Sequence, residues 1–127
     1  MAIKRIILIS CILLIVPVTA LTNELREFTF SQKVKQADAI VVGRVLQLND
    51  VDPPNTYGRQ YATIKVRGVI KGKVETTIKL WTKKQVAESN PNCCVVGDDY
   101  VIYLERLSDG SYNALDGHFG VIEMSNP

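Results

Sequence analysis

The clearest pattern in the chain is an almost strict alternation of apolar and polar residues over positions 62–71. One face of this run carries Ala62, Ile64, Val66, Gly68 and Ile70, and the other carries Thr63, Lys65, Arg67 and Lys71. A period of two predicts a strand with one face on a core and the other in water. Such half-buried strands are typical of antiparallel sheets.

Several other short runs also predict strands. The predicted set is 40–46, 62–70, 77–81, 99–107, 112–115 and 121–124. The inward side chains expected in 77–81 and 99–107 are Ile78, Leu80, Tyr100, Ile102 and Leu104, with Tyr103 on the opposite face. Residues 108–111, Ser-Asp-Gly-Ser, are typical of a hairpin turn. Five or six short strands favour a small barrel or sandwich.

One helix is predicted before the first strand. Residues 24–39 contain helix formers, with an expected buried stripe of Leu25, Phe28, Val34 and Ala37. Ser31 is the expected N-cap of a short helix over residues 32–37, because a serine side chain accepts a hydrogen bond from the first turn.

The N-terminus has the layout of a secretory signal peptide. Lys4 and Arg5 precede an apolar run over 6–16, and Val18-Thr19-Ala20 supplies small residues for cleavage. We therefore expect a signal peptide over 1–20, a single domain over 21–127, and a secreted or periplasmic protein. Lipidation at Cys11 is the less favoured alternative, since it leaves only residues 6–10 as the apolar region.

Charge excludes one class of partner. The chain has 15 basic and 13 acidic residues. Lys4 and Arg5 leave with the signal, so the exported domain is close to neutral. Nucleic-acid binders carry a basic face, and no nucleic-acid partner is expected. Residues 6–21 fall short of the roughly 20 that span a bilayer, so no stable membrane insertion is expected after cleavage.

Three stretches together resemble a known family. These are Ala-Asp-Ala-Ile-Val-Val-Gly-Arg-Val at 37–45, Val-Ile-Lys-Gly at 69–72, and a cysteine ahead of Val-Gly-Asp-Asp-Tyr-Val-Ile-Tyr-Leu at 96–104. Over roughly residues 30–124 the chain resembles the tissue inhibitors of metalloproteinases and netrin-like modules, in a small bacterial secreted form. The resemblance implies an all-β fold, a small five-stranded OB-type barrel with a short N-terminal helix packed on it.

The chain also departs from that family. The animal inhibitors begin with a cysteine that chelates the protease zinc, whereas the exported chain here would begin Leu21-Thr22-Asn23. The family's usual partner cysteine near the end of the barrel is missing from residues 116–120. The zinc-chelating mode of inhibition is therefore not expected of this chain. The resemblance alone does not imply another inhibitory mode, because one fold hosts many functions.

Cys93 and Cys94 are the only cysteines after the signal. In an oxidising compartment thiols tend to form disulfides. The favoured interpretation is a local clip in the loop or the remainder of an ancestral bridge. The alternatives are a redox-sensitive pair and a bond to another chain.

No metal site, cofactor or catalytic set is predicted. Cys93, Cys94 and His118, with Met124, are weak ligand candidates, since adjacent cysteines miss the usual spacing of zinc ligands. Asp98-Asp99 at a strand entrance is typical of a turn rather than of an acid–base pair. With a single histidine and no hydrolase motif, we expect that the protein is not an enzyme.

The candidate binding face consists of Lys65, Arg67, Lys79 and Trp81, flanked by loops over 47–60 and 82–98. OB-type barrels bind ligands on this side; an anionic glycan or phospholipid head group is one candidate ligand, and Trp81 is equally compatible with the core.

Our leading hypothesis is an exported binding module acting on a protein partner, with protease inhibition as one form. A thiol redox or soft-metal-handling protein using Cys93 and Cys94 is the first alternative, and a structural remnant without an active site is the second.

Overall fold

The structure, a computed structural model, describes residues 26–51, 58–84 and 89–124. Within those ranges the elements are α1 (Phe30–Gln36), β1 (Ala39–Asp50), β2 (Gln60–Lys71), β3 (Thr77–Lys83), β4 (Asp99–Arg106), β5 (Tyr112–Ala114), the 3-10 turn Gly117–Phe119 and β6 (Val121–Glu123). The expected signal peptide over 1–20, with Cys11, lies outside the described residues.

Five of the strands close into a barrel. β1 pairs antiparallel with β2 on one side and with β4 on the other. β3 continues from β2, and β5 continues from β4, both antiparallel. A parallel contact between β3 and β5, with Leu80 opposite Tyr112, completes the circle. This confirms the expected all-β, OB-type barrel with one short helix, and β6 adds to it beside β4.

The inward residues of the alternating strands fill the barrel. Ile78, Leu80, Tyr100, Ile102 and Leu104 are buried, as their spacing predicts. They join one cluster with Val41, Val45, Ala62, Ile64, Tyr112, Ala114 and other core residues. Full burial of a Leu or Ile side chain contributes about 1.5–3 kcal/mol, so this cluster is the main source of stability.

Two expected orientations are wrong. Ile70 was expected on the core face of β2, yet its side chain is 64% exposed. Pairing of β2 with β3 ends at Lys65, so the last residues of β2 extend past the barrel with only β1 beside them. Tyr103 was expected to face outward but is buried against Ala37 and Ile40, because α1 covers that side of β4.

Helix α1 begins earlier than predicted. The N-cap is Thr29, not Ser31, and the helix ends at Gln36. The Thr29 hydroxyl accepts a hydrogen bond from the Gln32 amide at 3.1 Å, and the Gln32 side chain accepts one from the Thr29 amide at 2.8 Å. This reciprocal capping box satisfies two amide groups, whereas a cap at Ser31 leaves the first turn without this pair.

A lysine attaches α1 to the far end of the chain. Lys33 is the buried residue of the helix, and its Nζ donates to Glu27 at 2.7 Å and to the Phe119 carbonyl at 3.0 Å. Of the expected apolar stripe, Ala37 is buried, Phe28 and Val34 are half-buried, and Leu25 lies outside the described residues. No helix in the described ranges is long and apolar enough to cross a membrane.

The strands run further than predicted into the flanking loops. β1 continues to Asp50, and β3 to Lys83, so residues 47–50, 60, 82 and 83 of the predicted loops are strand. Polar residues in these extensions interrupt the alternation of apolar and polar positions that predicts a strand. They pair across strands instead, as when Asn49 donates to the Thr63 hydroxyl at 3.3 Å.

Candidate binding face

All four residues of the candidate binding face lie on one side of two paired strands. Because Ala62, Ile64, Ile78 and Leu80 fill the core, their neighbours on β2 and β3 point outward. The register sets Tyr61 opposite Trp81, Thr63 opposite Lys79 and Lys65 opposite Thr77. We call the set Tyr61, Thr63, Lys65, Arg67, Lys79 and Trp81 the outer face.

Lys79 and two aromatic rings form one end of the outer face. The Lys79 Nζ lies 4.2 Å from the centroid of the Tyr61 ring and 4.5 Å from that of Trp81. The two rings meet edge to face, with centroids 5.8 Å apart. Cation–π contacts of this kind are worth about 0.5–1 kcal/mol at exposed sites. Trp81 is therefore a half-buried surface residue, not part of the core.

The indole of Trp81 is fixed by the turn between β4 and β5. Its Nε1 donates to the Ser111 hydroxyl at 3.1 Å. Ser111 in turn donates from its side chain and its amide to Asp109, and these bonds hold the pKa of the Asp109 carboxyl below its usual value. The turn thus orients Trp81 before any ligand arrives.

An ion pair occupies the other end of the outer face. Arg44 on β1 donates from Nε and Nη2 to the two carboxylate oxygens of Asp99, at 2.9 and 3.1 Å. Arg67 donates to the same carboxylate at 3.2 Å. The Arg44 hydrogen bonds lower the pKa of Asp99, so this carboxyl is an anionic anchor at neutral pH.

Positive charge exceeds negative charge on this surface. Lys65 is exposed and forms no ion pair with any described residue. It lies directly opposite Arg44, and like charges in that position are destabilising in a sheet. Asp99 is the one described carboxylate paired with the arginines here, against Arg44, Lys65 and Arg67. An anionic group bound at this position would relieve the repulsion.

Sequence reasoning missed Arg44, Tyr61 and the turn residues Asp109 and Ser111. The period of two already places Tyr61 with Lys65 on the polar face of β2. No local signal places Arg44 beside Lys65, since that depends on the register of β1 against β2.

Cys93 and Cys94 lie in the loop before β4 and are joined by a disulfide, and the peptide bond between them is cis. Both are half-buried and pack against the barrel core. The loop continues beside β1, where the Gly97 amide donates to the Val45 carbonyl at 2.8 Å. The pair thus belongs to a loop anchored on the barrel, as a local clip would.

The structure does not gather the weak metal ligands. His118 is exposed in the 3-10 turn Gly117–Phe119, whereas both cysteines are half-buried in the loop before β4. Among the described residues, no group of three or more histidine, cysteine or acidic side chains is placed to hold a metal ion. Asp98 and Asp99 also differ in role, since the Asp98 carbonyl accepts from the Val45 amide while Asp99 holds the arginines.

Comparison with known proteins gives no family. No family model matches the chain, and no curated protein matches it.

Proposed function

We propose that this protein is an exported binding module that takes a protein partner on its outer face. The observation that carries the proposal is Lys65, which has no described ionic partner and lies beside Arg44 and Arg67 on the same surface as Trp81. A face with surplus cations at one end and fixed aromatic rings at the other suits a partner with both acidic and apolar side chains.

The residue types support a protein as the partner. Tyrosine, tryptophan and arginine are enriched at the centres of protein interfaces. The outer face offers Tyr61 and Trp81 on the paired part of β2 and β3, and Arg67 further along β2. Because Trp81 is fixed by Ser111 and by Lys79, ordering it on binding costs little conformational entropy.

Protease inhibition is one form that such binding would take. The resemblance to inhibitors of metalloproteinases favours it, but the zinc-chelating cysteine of those inhibitors has no counterpart in this sequence. A protein of this class that inhibits a protease would therefore do so through contacts other than an N-terminal thiol.

The proposal is tested by photo-crosslinking in the secreting cell. A photoreactive amino acid replaces Thr63, at the centre of the outer face between Lys65 and Lys79. The matched control carries the same group at Gln36, which is exposed on α1. We expect a discrete crosslinked protein from position 63 and none from position 36. No crosslink from 63, or equal crosslinking from both, contradicts the proposal.

Charge reversal then tests which residues are responsible. Lys65→Glu is combined with the crosslinker at position 63 and compared with Lys35→Glu, an equal change of charge at another exposed site. We expect the crosslink to fall with the first substitution and to persist with the second. The Lys65→Glu variant should melt no lower than the parent, because an acidic side chain would then lie opposite Arg44.

Removal of both thiols separates this function from its main alternative. A binding module with Cys93→Ser and Cys94→Ser should fold and keep the crosslink. A thiol redox or soft-metal-handling protein should lose its activity with the same double change.

A further inference from the structure

The barrel is closed by only a short contact between β3 and β5. These strands share the single register pair Leu80–Tyr112. Next to that contact, a groove of about 380 Å³ separates the start of β3 from the turn before β5. We call it the seam groove; it is lined by Glu75, Thr77, Ile78, Lys79, Asp109, Gly110 and Ser111.

The backbone of β3 presents unused pairing groups to the seam groove. The Val66 amide donates to the Thr76 carbonyl, which fixes the alternation along the pair. Thr76, Ile78 and Leu80 therefore direct their peptide groups toward β2, and Thr77 and Lys79 direct theirs toward the groove. The contact at Tyr112 lies beyond them, so the amide and carbonyl of Thr77 and the amide of Lys79 face the seam groove.

Two carboxylates flank this edge. Glu75 accepts a hydrogen bond from the Tyr112 hydroxyl at 3.1 Å, and Asp109 accepts two from Ser111. The pKa of each is lowered, by its own backbone amide first in Glu75 and by Ser111 in Asp109. Both are therefore anionic at neutral pH, and neither is in a salt bridge with any described residue.

Two cations act on these carboxylates from a distance. The Lys79 ammonium lies over the Tyr61 and Trp81 rings. It also favours the charged form of Asp109, whose pKa it helps to lower. Arg106, over the Tyr112 ring, acts in the same direction on the pKa of Glu75. Within the described part of the chain, neither cation forms a salt bridge with these carboxylates, so a basic side chain in the groove would be the first to pair with them directly.

From the open edge and its flanking carboxylates, we propose that the seam groove binds an extended peptide segment carrying lysine or arginine. The segment pairs with β3 at Thr77 and Lys79 as an added strand, a common mode of peptide recognition. Its alternate basic side chain lies between Glu75 and Asp109. This site is separate from the outer face and goes beyond the function proposed above.

The probe is a synthetic pentapeptide of alternating valine and lysine, titrated into the exported protein and followed by amide NMR. We expect the largest shifts, and slowed amide exchange, at Thr77 and Lys79. Two matched peptides serve as controls. One has glutamate in place of lysine, and the other has its pairing amides N-methylated.

Both control peptides should bind at least about tenfold more weakly. Equal binding of the glutamate peptide would overturn the charge requirement, and equal binding of the N-methylated peptide would overturn strand addition. Shifts confined to Tyr61 and Trp81 would assign the peptide to the outer face instead and would also overturn the proposal.

Protein variants give an independent test. Glu75→Gln with Asp109→Asn keeps the hydrogen-bond acceptors but removes both charges. Glu105→Gln with Glu123→Gln removes two charges from exposed positions outside the groove. We expect about tenfold weaker binding of the lysine peptide for the first pair and unchanged binding for the second. Equal affinity in both variants contradicts the proposal, and the peptide controls decide it even if the first pair disturbs folding.

Discussion

Arg44 on β1 donates two hydrogen bonds to the carboxylate of Asp99 on β4, from Nε to Oδ1 at 2.9 Å and from Nη2 to Oδ2 at 3.1 Å. Two-point pairing of a guanidinium with a carboxylate fixes orientation as well as distance. Because Arg67 on β2 reaches the same carboxylate, three neighbouring strands are joined on the outside of the barrel. The ion pair therefore also holds both arginines in place on the proposed binding surface.

This ion pair predicts a specific dependence of stability on pH. The pKa of Asp99 is lower in the folded protein than its ordinary value of 3.8, chiefly because of the Arg44 hydrogen bonds. The stabilisation is therefore complete above 3.8 and is lost as the pH falls through the folded pKa. Wild type should melt higher than Asp99→Asn near neutral pH, and the gap should close below pH 3.8.

Thermal unfolding at a series of pH values measures that gap. An Arg44→Gln background provides the control. It removes the main cause of the lowered Asp99 pKa, so the melting-temperature difference between the Asp99 and Asp99→Asn proteins should depend less on pH in that background. A gap that stays the same at strongly acid pH would contradict the assignment.

Gly43→Ala should destabilise the barrel. A Cβ at this position of β1 would collide with the Ile64 side chain in the core. Overpacking of this kind costs about 1–3 kcal/mol. Gly68→Ala is the matched control, because a Cβ there meets nothing within 4 Å. Denaturant unfolding should show a lower free energy of unfolding for Gly43→Ala alone. Equal stability of the two variants would contradict the close approach of residue 43 to the Ile64 side chain.

Lys33→Met should loosen the attachment of α1. The substitution keeps most of the buried stem but leaves the Phe119 carbonyl without its donor. An unsatisfied group of this kind costs about 1–3 kcal/mol. Lys35→Met, on an exposed helix position, should change little. Hydrogen exchange of the helix amides tests the local effect, which should exceed that in the barrel strands.

Lys79→Met tests the lysine between the two rings. The variant retains an apolar side chain but loses both cation–π contacts, so we expect the free energy of unfolding to fall by about 1 kcal/mol. Lys83→Met, exposed at the end of the same strand, is the control. The near-ultraviolet circular dichroism of Trp81 should change in the first variant only, and identical spectra would contradict the stacked arrangement.

The intact mass of the protein tests both the expected signal cleavage and the state of its cysteines. We expect a chain starting at Leu21, with an unreduced mass about 2 Da below the reduced one because each thiol has lost a hydrogen. A mass that halves on reduction would show a bond between chains. A chain starting at Cys11 with acyl groups would place the domain on a membrane.

The periodicity of the strands determined much of this fold in advance. Alternation around Ile64, Ile78 and Ile102 identified core positions because a strand exposes its two faces in turn. The same parity placed Lys65, Arg67 and Lys79 on the outside before any pairing was known, whereas Trp81 was left equally compatible with the core. Local patterns of this kind depend only on neighbouring residues, and they were correct for the class of fold and for most of the barrel core.

Where a segment's environment depended on distant parts of the chain, the local pattern was insufficient. Ile70 is exposed because β2 extends beyond the residues that pair with β3. Tyr103 is buried because α1 covers it. Lys33 is buried because its ammonium reaches the Phe119 carbonyl, 86 residues further along the chain.

The sequence by itself determined the strand alternation, the all-β class and the polar faces, since these follow from the chemistry of adjacent residues. The alternation left a barrel and a sandwich open, and only the family resemblance implied the barrel. Only the tertiary structure decided that Arg44 faces Asp99, that Lys79 lies over Tyr61 and Trp81, and that β3 is left open beside the turn. These contacts depend on strand register and barrel closure, which long-range packing fixes and no local pattern of residues specifies.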